Sequence, residues 1–265
     1  MSSSPIFVKL GGSLITDKSQ AYTVRQERLT RLAQEVRQAL DAAPQLSLLM
    51  GHGSGSFGHW AAEPYGTREG VETPDEWRGY AIVATAAQRL NRIVTDALTE
   101  AGVPVISIQP SASARCRDGV VQHLALPPIQ AALRNNLVPL IYGDVALDEV
   151  RGGTIASTED LFVYLAELLA ASHILLFGEV DGVLDAQNQV IPTITPADIP
   201  RLQDVLGSSE GVDVTGGMID KVTRMTNLVQ RQPSTRVRIL SGTEPGSLKR
   251  ALLNPDLSVG TSIEA

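Results

Sequence analysis

Short runs of consecutive apolar residues, several ending in glycine and each followed by an amphipathic stretch, constrain this chain more than any other feature. Residues 6–10 end at Gly11-Gly12, residues 46–50 end at Gly51, and residues 137–142 end at Gly143. A strand that is apolar on both sides must be covered on both faces, so such runs read as parallel strands between two helical layers. The stretches between them carry apolar residues at helical spacing. Leu29, Leu32, Ala33, Val36 and Leu40 share one face, and Val83, Ala84, Ala87, Leu90, Val94 and Leu98 mark a helix over 75–101. Further strands are expected at 103–108, 173–177, 236–240 and 258–263, and a short helix at 128–135. Ser157 with Asp160 three residues on reads as a helix start, and Met218, Val222, Met225 and Val229 mark one more helix. The 148–154 stretch is the expected seam between two lobes on one continuous sheet, 1–150 and 151–265. Ligands of such sheets bind beyond the carboxyl ends of the strands.

Composition narrows the function. The 265 residues are 43% apolar, enough for a substantial core, and the net charge of −7 argues against a nucleic-acid or anionic-membrane surface. No apolar run approaches the roughly 20 residues that span a bilayer. No signal-peptide pattern precedes the first strand, and the single Cys116 excludes a disulfide within the chain, so a cytoplasmic protein is expected. Of 22 basic residues, four are lysine: Lys9, Lys18, Lys221 and Lys249. The first three lie in or beside glycine-rich segments. Lysine carries a compact charge on a flexible stem, which suits a moving phosphoryl group.

Five segments at strand ends carry the chemistry. Lys9-Leu10-Gly11-Gly12-Ser13 puts a lysine before a tight glycine turn whose N–H groups can approach an anion. Gly51-His52-Gly53-Ser54-Gly55-Ser56-Phe57-Gly58-His59 has the composition of a phosphate cradle, with His59 able to donate to a phosphate oxygen. His52 and His59 as zinc ligands are disfavoured, because their spacing and neighbours do not supply a ligand set. Tyr142-Gly143-Asp144-Val145 offers a carboxylate at a strand end. Glu179-Val180-Asp181-Gly182-Val183 contains a turn signal. Asp213-Val214-Thr215-Gly216-Gly217-Met218-Ile219-Asp220-Lys221 opens a helix with Gly-Gly and puts Lys221 in its first turns. Neither a Walker A loop nor G-x-G-x-x-G is present.

Together these segments resemble the isopentenyl phosphate kinases of the amino acid kinase superfamily, and the resemblance spans nearly the whole chain. Its most specific mark is the Ser56-Phe57-Gly58-His59 ending of the second loop, which the fosfomycin kinases share and the carboxylate kinases lack. The resemblance implies an open αβα sandwich with a mostly parallel sheet, an acceptor-binding N-terminal lobe, an ATP-binding C-terminal lobe and a homodimer. By matching positions, Lys9 and Lys221 would contact the transferred phosphoryl group, with Lys18 assisting from the acceptor side. Gly11, Gly12, Ser13, Gly55, Gly216 and Gly217 would lie against ATP phosphates, and Asp181 near the nucleotide. Ser54, Gly55, His59, Gly143 and Asp144 would bind the acceptor phosphate, with Asp144 organising the lysines. Ser54 departs from the glycine usual there, and Ser157-Thr158-Glu159-Asp160 stands where the family has Ser-Gly-Asp-Asp.

The implied reaction is Mg-ATP plus isopentenyl phosphate giving isopentenyl diphosphate and ADP. No protein ligand for Mg²⁺ is expected, because the nucleotide oxygens would hold it. The alanines of the 75–101 helix, Ala81, Ala84, Ala86 and Ala87, are candidates for an apolar pocket for the prenyl chain. The alternatives are a fosfomycin-type phosphonate kinase and a nucleotide-binding storage or regulatory protein of the same fold.

Overall fold

The computed structural model describes residues 4–207 and 217–265, with side chains described for 4–203 and 217–265. In chain order, β1 (Ile6–Leu10), α1 (Gly12–Ile15) and α2 (Gln26–Ala42) lead to β2 (Leu48–His52). Then α3 (Gly55–Ala62) and α4 (Pro74–Glu100) lead to β3 (Val105–Ser107). A hairpin of β4 (Arg115–Arg117) and β5 (Val120–His123) precedes α5 (Leu126–Arg134) and β6 (Val138–Tyr142). A second hairpin, β7 (Asp144–Asp148) and β8 (Gly152–Ala156), precedes α6 (Thr158–Leu169) and β9 (His173–Gly178). The remainder is β10 (Thr193–Ile194), α7 (Ile199–Gly207), α8 (Gly217–Arg231), β11 (Arg236–Ser241), α9 (Ser247–Leu253) and β12 (Thr261–Ile263).

The main sheet runs β10-β12-β11-β9-β1-β2-β6-β3, parallel throughout except for β11 with β12. β1 is central because its residues are apolar on both sides. Val8 and Leu10 join the core under α2, α4 and α9, while Phe7 joins the core under α6 and α8. Register sets the site. Leu10 pairs with both His52 and Phe177, and His52 pairs with Tyr142. The carboxyl ends of β9, β1, β2 and β6 therefore stand level, and the residues that follow them form one row.

Helix starts follow their local chemistry. α4 opens with Thr73 and Glu76 in a reciprocal capping box and Pro74 in the first turn. α6 opens with the expected Ser157–Asp160 box. The alanines of α4 do not form one open face. Ala86 and Ala87 are buried, Ala84 is half-buried against the core, and Ala81 is exposed. Close helix packing accounts for them. Among the described residues, no helix is long and apolar enough to cross a membrane.

A separate four-stranded sheet, β5-β4-β7-β8, was not anticipated. The 148–154 stretch, read as a seam, is the turn of the β7–β8 hairpin, where Asp148 pairs with Gly152. Asp148 ties this turn to that of the first hairpin. Its carboxylate accepts from the amides of Asp118, Gly119, Val150 and Arg151 at 2.7–3.0 Å. Burial alone would raise its pKa, but these donors hold it below the ordinary value. Asp148→Ala would strand the four amides, and the protein should lose about 2–3 kcal/mol of stability. Chemical denaturation checks this, and a loss under about 0.5 kcal/mol would mean water replaces the carboxylate.

Candidate active site

The turns after β1 and β2 meet with no side chain between them. A Cβ on Gly12 would come within 2.4 Å of the Gly55 amide nitrogen, and one on Gly53 within 2.8 Å of that of Gly12. Gly55 also has φ +51°, in the region that glycine tolerates best. Buried Thr16 staples the two turns: its hydroxyl donates to Gly12 O at 2.7 Å and accepts from Ser56 N at 2.9 Å. Gly11 N donates to Phe177 O at 2.7 Å, tying the turn to β9. Gly11, Gly12, Ser13, Gly53, Ser54 and Gly55 remain half-buried and make a floor of backbone at the start of α3. Exposed amides at a helix start favour anions. Ser54 fits where a smaller residue was expected because Gly58 faces it. A Cβ on Gly58 would lie 2.1 Å from Ser54 Oγ.

Lys9, near the end of β1, is buried and paired with Glu159 in a short contact. Glu159 is also buried, at the second position of α6. Burial would raise its carboxyl, but the ammoniums of Lys9 and Lys221 outweigh that and hold it down to about 2. One carboxylate thus pairs with a lysine from β1 and feels the charge of a lysine from α8. The local sequence explains its direction. Asp160 takes the capping position, leaving Glu159 to face the strands, and Thr158 Oγ1 docks the helix start on His52 O at 2.6 Å. Sequence reasoning missed Glu159, although the cap that places it was legible. An acidic residue in a first turn is already accounted for by the helix dipole, which hides any other role.

Asp144 has other company. It is buried and accepts from Ser111 N at 3.0 Å, from Val145 N at 2.9 Å and from the Tyr142 side chain. Burial pushes its carboxyl above the ordinary range, against those hydrogen bonds. The carboxylate that holds Lys9 is Glu159, where the resemblance had pointed to Asp144. Gly143 is buried, and its amide donates to His52 O at 3.3 Å.

The remaining candidates flank the floor. His59 lies on α3 with its side chain 39% exposed and Nε2 3.9 Å from Glu63. Lys18 is exposed on the 17–23 loop. That loop rests on α3: Thr23 N donates to Ser56 Oγ at 3.3 Å, and the Tyr22 ring meets Phe57 edge-on at 5.4 Å. Asp181 is exposed after β9, in a turn fixed by Val183 N donating to Thr261 Oγ1 at 2.8 Å. Gly217 opens α8. Gly216 and residues 213–215 lie outside the described residues. Lys18 and His59 therefore stand on the β2 side, Asp181 and Lys221 follow β9 in the chain, and Lys9 stands between.

Beneath the floor lies His52, fully buried and stacked on Tyr142 at 5.6 Å and 7°. Its Nδ1 is 3.0 Å from Gly53 O and its Nε2 3.2 Å from Asn91 Nδ2. A carbonyl can only accept, so Nδ1 carries the proton and Nε2 accepts. Asn91 Oδ1 in turn accepts from Ser107 Oγ at 2.5 Å. Burial, with a smaller push from the Lys9 charge, lowers the His52 pKa from 6.5 to about 4. The unfolded chain thus takes up a proton near pH 6.5 that the folded chain refuses until about pH 4. Stability from this group is complete above pH 6.5 and is lost as pH falls toward 4, roughly 3 kcal/mol in all. Urea unfolding between pH 7 and pH 4.5 should show a slope shallower by about 1.4 kcal/mol per pH unit in His52→Asn, which does not titrate. Equal slopes would place the acid sensitivity elsewhere.

Comparison with known proteins adds the lineage. The pattern of the amino acid kinase family matches residues 4–241. The isopentenyl phosphate kinase of Methanocaldococcus jannaschii is 33% identical over 252 residues, covering 93% of this chain and 94% of the relative. That of Haloferax volcanii is 38% identical, covering 93% and 99%. A solved isopentenyl phosphate kinase superposes with a TM-score of 0.82 at 29% identity, covering 97% of this chain and 99% of the other. The chain belongs to the amino acid kinase family and, within it, to the isopentenyl phosphate kinases.

Proposed function

We propose that this protein transfers the γ-phosphoryl group of ATP to isopentenyl phosphate, giving isopentenyl diphosphate and ADP. The observation that carries the reading is the Lys9–Glu159–Lys221 cluster beside the glycine floor, with His59 on the helix that leaves that floor. The curated relatives bear the same activity in their names. A phosphate monoester is mostly dianionic at neutral pH, since its second pKa is near about 6. It brings its own nucleophilic oxygen and needs no general base. That oxygen attacks the γ-phosphorus, the bond to the β–γ bridging oxygen breaks, and ADP departs with the electron pair.

The obstacle is repulsion between two anions. Lys9, held by the Glu159 carboxylate, and Lys221, near enough for its charge to act on the same carboxylate, keep net positive charge where the transferred group passes, and pre-set donors cost no reorganisation during reaction. The floor suits nucleotide phosphates because its two turns pack main chain on main chain, where a Cβ at Gly12 or Gly55 would force them apart, and it stays half-buried at a helix start. Among the described residues, no group of three or more His, Cys, Asp or Glu is arranged to hold a metal. Mg²⁺ would enter on the nucleotide, whose phosphate oxygens it favours, and neutralise charge there. His59 serves the acceptor phosphate, Asp181 the nucleotide side and Lys18 the acceptor side. The family resemblance also supports a homodimer.

ADP release should be measured with Mg-ATP and, in parallel, isopentenyl phosphate, dimethylallyl phosphate, fosfomycin or buffer. Turnover is expected on the prenyl phosphates, and turnover on fosfomycin alone would overturn the acceptor. His59→Ala should lower kcat/KM for the prenyl phosphates at least about 100-fold while ATP still binds. Glu159→Gln removes the charge that pairs with Lys9 and acts on Lys221, and should lower kcat by about 100-fold or more. Near-wild-type kcat in Glu159→Gln would show that the lysines need no carboxylate.

A further inference from the structure

A cavity of about 540 Å³ opens between the two β-hairpins, α6 and α8. Neither the glycine floor nor Lys9, Glu159, Lys221 or His59 lines it. Its size is that of a small-molecule site. Four guanidiniums line it, from Arg68, Arg151, Arg224 and Arg231, against three carboxylates, from Asp118, Asp160 and Glu167. The local balance is therefore positive in a chain whose net charge is −7. The carboxylates fix three of the arginines in place. Asp118 accepts from Arg151 Nε at 2.9 Å, Asp160 pairs with Arg224 Nε at 3.0 Å, and Glu167 accepts from Arg231 Nε at 2.8 Å. Side chains ordered before a ligand arrives lower the cost of binding it. The arginines also stay accessible: the side chains of Arg68 and Arg231 are 46% and 53% exposed. Another part of the lining is apolar, from Val120, Val121 and Val163, and Val120 is 61% exposed.

Oriented guanidiniums suit phosphate, and an apolar wall suits a hydrocarbon body. We infer that this cavity is a second binding site, for an organic phosphate or diphosphate monoester, and that its occupancy regulates the transfer site. Asp160 is the link. It holds Arg224, stands 4.0 Å from Arg68, and caps α6 through Ser157 N and Oγ at 2.9 and 2.6 Å. Glu159 is its neighbour in sequence, and Arg224 lies three residues beyond Lys221 on α8. A ligand phosphate that takes the remaining donors of Arg224 and Arg68 shares their charge with Asp160, weakens its hold on them, and shifts the two helix starts that carry Glu159 and Lys221. The regulatory half of the inference rests on the kinase reading, whereas the binding half does not.

The test uses geranyl diphosphate as probe. It is titrated calorimetrically into protein saturated with a non-hydrolysable ATP analogue and isopentenyl phosphate. One equivalent should bind wild type, and Arg231→Ala and Val120→Asp should each weaken it at least about tenfold with unchanged thermal unfolding. Pyrophosphate, which lacks the hydrocarbon body, should also bind at least about tenfold more weakly. No binding, equal affinity in both variants, or equal affinity for pyrophosphate overturns the site. In the ADP-release assay, geranyl diphosphate should lower kcat of wild type without competing with either substrate, and this inhibition should vanish in Arg231→Ala. Competitive inhibition that persists in Arg231→Ala places the probe in the transfer site and overturns the regulatory role. Absence of turnover without any probe would sink the kinase reading and leave the binding titration standing.

Discussion

The buried ion pair between Lys9 and Glu159 is the contact on which the site depends. It joins the central strand of the sheet to the start of α6, 150 residues later in sequence. Two charges taken out of water cost several kcal/mol each unless they are well paired, so such a pair adds little to stability over an apolar core. Its effect is to fix one geometry. Lys9 cannot turn away from the strand ends without abandoning a buried carboxylate, and α6 cannot shift without stranding a buried ammonium. Lys221 completes the arrangement from α8. The electrostatic centre is assembled from three elements far apart in the chain, and it forms only when the sheet has closed in its register.

That register has a second guarantor in His52. Its carbonyl receives Thr158 and Gly143, while its ring holds Gly53 and Asn91. One residue thus connects β2, β6, the start of α6 and the underside of the glycine floor. A neutral imidazole suits this place because it offers one donor and one acceptor at a fixed separation, and Gly53 O and Asn91 Nδ2 demand one of each.

Much of this was legible in the sequence because strong local signals agreed with the tertiary outcome. The runs at 6–10 and 173–177 became adjacent parallel strands, the 75–101 periodicity became α4, and the Ser157 cap stands where it was read. What escaped was either short or ambiguous. β4 spans Arg115–Arg117 and buries only its central Cys116, too brief a pattern to declare a strand. The second hairpin was taken for a seam because its turn is polar and glycine-rich, as linkers also are. Asp144 and Glu159 are both acidic residues near glycine-rich strand ends, and composition cannot say which one meets a lysine. Only the direction of a helix start decides that.

The floor of the site carries a further consequence. Gly12, Gly53 and Gly55 bring main chain against main chain, and the surface they leave is made of peptide groups. Peptide groups read charge and shape at a phosphate and are indifferent to what that phosphate is attached to. On the proposed reading, recognition of whatever lies beyond the phosphates falls to side chains standing over the floor. Those side chains can be exchanged one at a time without disturbing the contact beneath them. A fold built in this way separates the machinery of transfer from the choice of substrate, and its lineage can change what it phosphorylates while the ground under the reaction stays the same.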